Sequence, residues 1–141
     1  MKNKKILITG ATKGLGLECV KQFSKNGNTI IAVGRDDKYL KKISKKIVFF
    51  KGELLDEAFR KQFYSGLKKN NNIDVVIHCM GGGLGFKNPL LKLEEFIKLF
   101  YINLGIASEI NKKIKNNLNK KASYIIHVGS TASTEAIGSV G

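Results

Sequence analysis

The chain has little of several residue types that mark particular classes of protein. Its 141 residues include two cysteines, one proline and no tryptophan. Two thiols, Cys19 and Cys79, do not make the disulfide framework of a small secreted domain and suit a reducing cytoplasm better. No apolar run approaches the roughly 18 residues that a membrane-spanning helix needs. The composition therefore predicts a cytoplasmic protein with no membrane partner.

Acidic residues are also scarce, and the formal net charge of +14 results from 25 basic and 11 acidic side chains. A charge of this size raises the possibility of nucleic-acid binding. The lysines are spread along the chain, however, and few aromatic residues are interleaved with them for base stacking. A solvated basic surface is favoured over a nucleic-acid interface, and we expect no nucleic-acid partner.

Apolar strand patterns alternate with helical patterns along the whole chain. The strand patterns occupy residues 4–10, 28–34, 46–52, 73–81 and 122–129, and helical patterns lie between them at 15–27, 36–46, 55–70 and 92–119. The strands read as near-continuous apolar runs, which is typical of strands covered on both faces. Repeated strand–helix units predict one α/β domain over residues 1–141, with a doubly wound parallel sheet between two helical layers.

A glycine-rich turn, "ITGATKGLGLE", joins the first strand pattern to the first helix. Gly10, Gly14 and Gly16 leave room for a pyrophosphate to approach the backbone, and the helix N-terminus offers free N–H groups to the phosphates. A tight turn without a ligand would use similar residues. Because this turn lies in the first strand–helix unit, where the motif has to lie, the sequence predicts a dinucleotide site.

Several segments, in order, resemble classical short-chain dehydrogenases/reductases. "TGATKGLG" is similar to the T-G-x-x-x-G-x-G element of that family, "IDVVIHCMGGG" to its fourth strand and N-N-A-G loop, "YINLG" to its asparagine-bearing helix, and "YIIHVGSTAS" to its fifth strand and serine. The resemblance implies a Rossmann-type sheet with about five strands in the order 3-2-1-4-5. It also implies a cofactor site at these positions: Gly10, Thr12, Lys13, Gly14, Leu15, Gly16, Arg35, Glu53, Leu54, Cys79, Met80 and Gly81.

The chain departs from the family pattern at two of these places. His78, Cys79 and Met80 replace the asparagine, asparagine and alanine of the family loop, and Glu53 stands where an aspartate is usual. The apolar surroundings of His78 and His127 predict core histidines and not bases or metal ligands. The sequence predicts no metal site, because no Cys/His cluster has metal-ligand spacing.

The end of the second strand bears on the choice of cofactor. Family members that prefer NAD place an acid there, whereas this chain has Gly34 followed by Arg35. A guanidinium can bind a 2′-phosphate through two hydrogen bonds, and Lys13 is a second basic group that related NADP-binding members place near it. We therefore expect NADP(H) to be preferred, with NAD(H) as the other possibility.

The resemblance also implies a reaction, the interconversion of carbonyl and hydroxyl groups by hydride transfer. It makes Ser130 the group that holds the substrate oxygen and Asn103 the residue that positions a water, with Ser133 and Thr134 as weaker alternatives to the serine. The family's tyrosine, which has a lysine four residues later, would fall just beyond Gly141. The sequence thus predicts a homo-oligomeric reductase of a small carbonyl or alcohol substrate whose 141 residues alone lack the acid; the alternative is a non-catalytic dinucleotide-binding or regulatory chain.

Overall fold

Five parallel strands form one sheet in the order β3-β2-β1-β4-β5. The structure, a computed structural model, describes residues 1–36, 38–88 and 90–130. The strands are β1 (Lys5–Thr9), β2 (Thr29–Gly34), β3 (Ile47–Lys51), β4 (Val75–His78) and β5 (Tyr124–His127). The predicted fold and strand order are confirmed. The chain reverses direction across the sheet between β1 and β4, so the ends of these two strands open a crevice, which is where such folds bind ligands.

The helices lie on both faces of the sheet. Helix α1 (Gly14–Ser24) covers one face, and α2 (Glu57–Leu67) and α4 (Ile106–Ile114) cover the other. A hydrophobic core lies on each face of the sheet, and alternate residues of β1 pack into the two cores. Ile6 and Ile8 pack on the α1 side, and Leu7 packs on the side of α2 and α4. All three are fully buried, which explains why this strand is apolar without alternation.

The predicted helical region at 92–119 is divided into four segments. Helix α3 (Leu93–Phe100) runs into a π-helical turn (Tyr101–Gly105), then α4, then a 3-10 turn (Lys115–Asn117). The N–H of Ile106 donates to the carbonyl of Tyr101, which is the wider spacing of a π turn. Such turns interrupt helices mainly at functional sites, and this one contains Asn103.

The predicted helix at 36–46 is wrong. Its only helical element in the described residues is a 3-10 turn (Leu40–Lys42). The Asp36 carboxylate accepts from the Lys38 N–H at 2.8 Å, a contact that occurs both in turns and at helix starts. Leu40 is the only buried side chain of the turn, and a single apolar contact does not hold a lysine-rich helix against the sheet.

The prediction that all strands are covered on both faces is wrong at the two edges of the sheet. Strand β3 is only partly buried, and every residue of β5 is exposed. Tyr124, expected at the start of a buried strand, is 66% exposed, and His127, expected in the core, is exposed as well. The β5 sequence is apolar, but within the described residues it pairs on one side only, with β4.

Candidate functional site

A cavity of about 540 Å³ opens where the carboxyl ends of the central strands meet α1. Its walls come from the turn after β1, the ends of β2 and β3, the loop after β4 and the π turn. Eleven of the twelve cofactor positions predicted from the sequence lie in its wall: Gly10, Thr12, Lys13, Gly14, Leu15, Arg35, Glu53, Leu54, Cys79, Met80 and Gly81. The structure thus brings together residues that are far apart in the chain.

The twelfth position, Gly16, lies beneath the cavity and shapes its floor. A Cβ at Gly16 would come within 2.2 Å of the carbonyl oxygen of Gly10 and within 3.2 Å of the Cβ of Cys79. Gly10 has a φ of +64°, and a Cβ there would lie 2.8 Å from the carbonyl oxygen of Cys79. Three backbone segments therefore meet at a distance that only glycine allows.

Replacing Gly16 by alanine is expected to displace the turn against β4 and to weaken dinucleotide binding by about ten-fold or more, since overpacking costs typically 1–3 kcal/mol. Isothermal titration calorimetry with NADPH measures the effect. Gly129→Ala offers the matched control for added side-chain volume, because a Cβ at Gly129 would meet no described atom within 4 Å and Gly129 does not belong to the described cavity wall. A Gly16→Ala protein with unchanged affinity would contradict the close packing.

The first turn of α1 faces the cavity with its N–H groups. The N-cap residue, Lys13, makes no side-chain hydrogen bond to the helix end in the described part of the chain. The N–H groups of a helix N-terminus and its dipole favour an anion, and the neighbouring lysine adds a positive charge. This end of the cavity can therefore accept phosphate groups.

The end of β2 is closed to an acidic side chain by packing. A Cβ at Gly34 would lie 2.6 Å from the Thr12 methyl carbon, so the threonine occupies the space in which a side chain at position 34 would begin. The loop is held there by the Ala11 N–H, which donates to the carbonyl of Val33 at 3.1 Å. Charge at this end of the cavity comes instead from the next residue, Arg35.

Arg35 and Glu53 face each other across the mouth of the cavity. The Arg35 Nη1 lies 3.4 Å from the Glu53 Oε2, and the two side chains are 67% and 40% exposed. An exposed ion pair of this kind contributes about 0–1 kcal/mol, so a stronger anionic partner can displace the carboxylate. The sequence did not predict this pairing, because 17 residues and one strand separate the two positions.

The side chain of Asn103 braces the loop after β4. Its Oδ1 accepts from the Gly82 N–H at 2.9 Å, and its Nδ2 donates to the carbonyls of Gly82 at 3.0 Å and Leu99 at 2.9 Å. A Cβ at Gly81 would come within 2.6 Å of the same Oδ1. These contacts explain why Gly81 and Asn103 occur together, and they fix one wall of the cavity.

The thiol of Cys79 is a neutral part of that wall. Burial, with a further contribution from the neighbouring Cys19 thiol, raises the pKa of Cys79 to about 11. At neutral pH the group therefore stays protonated, which makes it an apolar wall and not a nucleophile.

Ser130 lies three residues beyond β5, at the same edge of the sheet as the loop after β4. The N–H of Val128 donates to the carbonyl of His78 at 3.0 Å, so pairing with β4 continues toward the serine. The described residues that line the cavity do not include Ser130. Ser133 and Thr134 lie outside the described residues.

Among the described tyrosines, one has a lysine four positions later, namely Tyr64 with Lys68. Tyr64 lies on α2 and Lys68 directly follows this helix, and neither residue belongs to the cavity wall. Burial and the nearby Glu109 carboxylate raise the pKa of Tyr64, which is the opposite of what a proton-donating tyrosine needs. This environment does not fit Tyr64 as the acid.

Seven further described residues line the cavity. Three are glycines: Gly34 ends β2, Gly52 follows β3, and Gly82 lies in the loop after β4. The other four are apolar, and no motif marks them: Val33, Leu55, Leu84 and Ile102. Among the described residues no group of His, Cys, Asp or Glu side chains is arranged to hold a metal ion. No helix in the described ranges has the length and apolar character to cross a bilayer.

Comparison with known proteins gives the family. A family profile described as short chain dehydrogenase matches residues 4–140. An uncharacterized oxidoreductase of Schizosaccharomyces pombe is 27% identical over 130 residues, which are 90% of this chain and 44% of that protein. A 3-oxoacyl-(acyl-carrier-protein) reductase of Rickettsia prowazekii is 26% identical over 129 residues, which are 90% of this chain and 54% of that protein. The chain thus spans about half the length of these relatives.

A solved structure supports the same fold. The 3-ketoacyl-(acyl-carrier-protein) reductase of Brucella melitensis, complexed with NADH, superposes with a TM-score of 0.81 at 21% identity, over 99% of this chain and 62% of that one. The profile match over nearly the whole chain shows that the protein belongs to the short-chain dehydrogenase family of oxidoreductases.

Proposed function

We propose that the cavity binds NADP(H) and that the chain is the cofactor-binding part of a reductase of small carbonyl or alcohol substrates. The observation that carries this proposal is the glycine floor of the cavity, where the backbone of the turn, the helix N-terminus and the loop after β4 meet beside Arg35. The described residues fit the cofactor, because the space above Gly14 is open and the first turn of α1 presents its N–H groups.

Each end of the cavity has a part in holding the dinucleotide. The N–H groups at the start of α1 and the Lys13 ammonium would bind the pyrophosphate. Leu54, whose side chain is buried, and the carboxylate of Glu53 would lie near the adenine, as the family resemblance implies. The loop of Cys79, Met80 and Gly81, braced by Asn103, would form the wall behind the rest of the cofactor.

The preference for NADP(H) follows from the end of β2. Thr12 leaves no room for an acidic side chain at position 34, so no carboxylate there would bind ribose hydroxyls or repel a phosphate. Arg35 is held beside the cavity by an ion pair weak enough to be exchanged for a 2′-phosphate.

In the proposed reaction the bound cofactor supplies or accepts the hydride. The Ser130 hydroxyl would donate a hydrogen bond to the substrate oxygen and so stabilise the negative charge that develops there. The amide of Asn103 is occupied by the loop, so its side chain contributes by holding the cavity wall; the water-positioning role implied by the family stays a prediction. Among the described residues no tyrosine at the cavity can supply the proton, and we expect the 141-residue chain by itself to bind cofactor without turning substrate over.

Isothermal titration calorimetry of the chain with NADPH and with NADH tests the proposed function. We expect one saturable site and tighter binding of NADPH by about ten-fold or more, from one charge-assisted contact. Absence of binding of either dinucleotide would contradict the site, and equal affinities would contradict the preference. Carbonyl reduction by the 141 residues alone would show that the acid lies elsewhere, whereas binding without any activity in a longer product of the gene would favour the non-catalytic alternative.

Self-association is a further expectation, because two elements carry exposed apolar side chains: helix α3 with the π turn, and strand β5. On α3 and the π turn, five apolar side chains at helical spacing are between 50% and 72% exposed: Leu93, Phe96, Ile97, Phe100 and Leu104. Within the described residues, strand β5 pairs with β4 alone and carries exposed apolar side chains, Tyr124, Ile125 and Ile126.

Size-exclusion chromatography with light scattering should therefore give a mass that is a multiple of the 15.6 kDa chain. The double variant Phe96→Ser and Phe100→Ser is expected to shift the mass toward the monomer, since each aromatic side chain carries a large apolar area. A stable monomer for the unaltered chain would contradict the homo-oligomer.

A further inference from the structure

Two histidines lie side by side at the ends of neighbouring strands. His78 and His127 are direct partners in the β4–β5 register, and their ring centroids are 4.8 Å apart. His78 is buried on the α4 side of the sheet, whereas His127 is exposed. Asn111 of α4 contacts both rings, so one amide joins a buried and an accessible imidazole.

The hydrogen bonds around Asn111 run in one direction. The Asn111 Oδ1 lies 2.9 Å from the His78 Nε2, and an amide oxygen accepts, so His78 carries its proton on Nε2. The other ring nitrogen of His78, Nδ1, then accepts from the Thr9 hydroxyl at 3.4 Å. On the far side the Asn111 Nδ2 donates to the His127 Nε2 at 3.3 Å, which requires that nitrogen to be unprotonated.

Protonation of His127 is incompatible with this direction. An imidazolium carries N–H groups on both nitrogens, so its Nε2–H would face the N–H of the Asn111 amide. Rotation of the amide by half a turn removes the conflict, because Oδ1 then accepts from His127. The same rotation turns the amide N–H toward His78, whose Nε2 has to lose its proton while Nδ1 gains one and donates to the Thr9 hydroxyl. The net change is one proton taken up by His127.

When His127 becomes protonated, His78 changes its tautomer, because a second positive charge on the buried ring is unfavourable. Burial, and then the neighbouring His127, lower the pKa of His78, against a smaller contribution of the Asn111 hydrogen bond. Among the described residues, the groups that hydrogen-bond to the pair are neutral: the Thr9 hydroxyl on β1 and the Asn111 amide on α4. Of the charged groups on α4, Glu109 pairs with Arg60, Lys113 lies over the ring of Tyr64, and Lys112 is exposed.

We propose that Asn111 is a two-state positioning residue that couples the protonation of His127 to the tautomer of His78. Acidification thereby reverses the hydrogen bonds that join the ends of β5, β4 and β1. Each end leads into the cavity region: Thr9 precedes the glycine turn, His78 precedes Cys79, and His127 lies three residues before Ser130. The coupling stands on the histidine geometry alone; its effect on substrate handling rests on the proposed function.

Nitrogen-15 NMR of the histidine rings, recorded from about pH 8 to pH 5 across the usual range of histidine titration, tests the coupling without any cofactor. We expect His78 to carry its proton on Nε2 at the upper end and on Nδ1 at the lower end, in step with the protonation of His127. A His78 tautomer that stays the same after His127 has become protonated would overturn the proposal.

Two variants make the test independent of a single substitution. In Asn111→Ala, the His78 tautomer should no longer change with pH, and Asn116→Ala, at an exposed asparagine five residues later, should behave like the unaltered chain. If Asn111→Ala does not fold, His127→Ala at an exposed position decides: His78 should keep its Nε2 proton throughout. A switch of His78 that persists at the same pH in His127→Ala would contradict the coupling. None of these NMR measurements depends on dinucleotide binding, so the coupling can be tested even if the proposed function is wrong.

Discussion

Replacing Ser130 by alanine is expected to lower the turnover of a carbonyl substrate by about 100-fold or more, the usual cost of removing one hydrogen bond to a developing oxyanion. The affinity for NADPH should change by less than about two-fold, because Ser130 does not belong to the described wall of the dinucleotide cavity. The assay follows NADPH consumption in the longer protein that the family resemblance predicts, with a Tyr-x-x-x-Lys helix after Gly141. Loss of turnover without loss of binding is the signature of a group that acts on the substrate.

Ser108→Ala provides a matched control, since this exposed serine lies on α4 and loses the same hydroxyl. Its turnover should equal that of the unaltered protein. Equal activity of Ser130→Ala and Ser108→Ala would remove Ser130 from the chemistry and leave Ser133 and Thr134 as the hydroxyls to be tested.

Replacing Arg35 by alanine is expected to weaken NADPH binding by about ten-fold or more and to leave NADH binding nearly unchanged. A hydrogen bond between charged groups contributes about 1.5–3 kcal/mol, whereas the exposed ion pair with Glu53 that is lost at the same time contributes little. Calorimetry with both dinucleotides measures the difference. Equal losses for the two cofactors would contradict a contact with the 2′-phosphate.

Two further variants separate this contact from general electrostatics. Lys120→Ala removes the same charge from the loop before β5, at the opposite edge of the sheet, and should leave both affinities unchanged. Glu53→Gln frees Arg35 from its carboxylate and should hold NADPH equally well or a few-fold more tightly, since an exposed pair contributes at most about 1 kcal/mol. A Glu53→Gln protein that loses NADPH affinity as Arg35→Ala does would show that the ion pair itself shapes the site.

The sequence was sufficient for those parts of the fold that depend on local pattern and on glycine. Gly10, Gly14 and Gly16 marked the turn because their spacing reflects backbone contacts that a side chain would block. The alternation of strands and helices predicted the parallel sheet, and the family resemblance predicted the strand order. Gly81 and Asn103 were both expected at the site, and the structure adds that they are in contact.

Other features depend on contacts that no local pattern records. The lysine-rich stretch at 36–46 has the residues of a helix, but it buries only Leu40 in its 3-10 turn and does not form one. The apolar residues of β5 are compatible both with a strand covered on both faces and with an exposed strand. The expectation of a buried environment was therefore wrong for Tyr124 and His127. The Arg35–Glu53 pair arises from the parallel register of β2 and β3, which places Gly34 beside Lys51. Arg35 follows β2 by one residue and Glu53 follows β3 by two, so the register brings their side chains together.

Binding of the dinucleotide in the glycine-floored cavity underlies both proposals about the cofactor. Hydrogen–deuterium exchange followed by mass spectrometry, with and without saturating NADPH, tests this binding on the 141-residue chain whatever its state of association. We expect slower exchange in peptides that cover residues 10–17 and 79–82, where backbone N–H groups line or support the cavity, and unchanged exchange in α2 on the other face of the sheet. Protection confined to α2 or to the amino ends of the strands, or no protection at all, would contradict it.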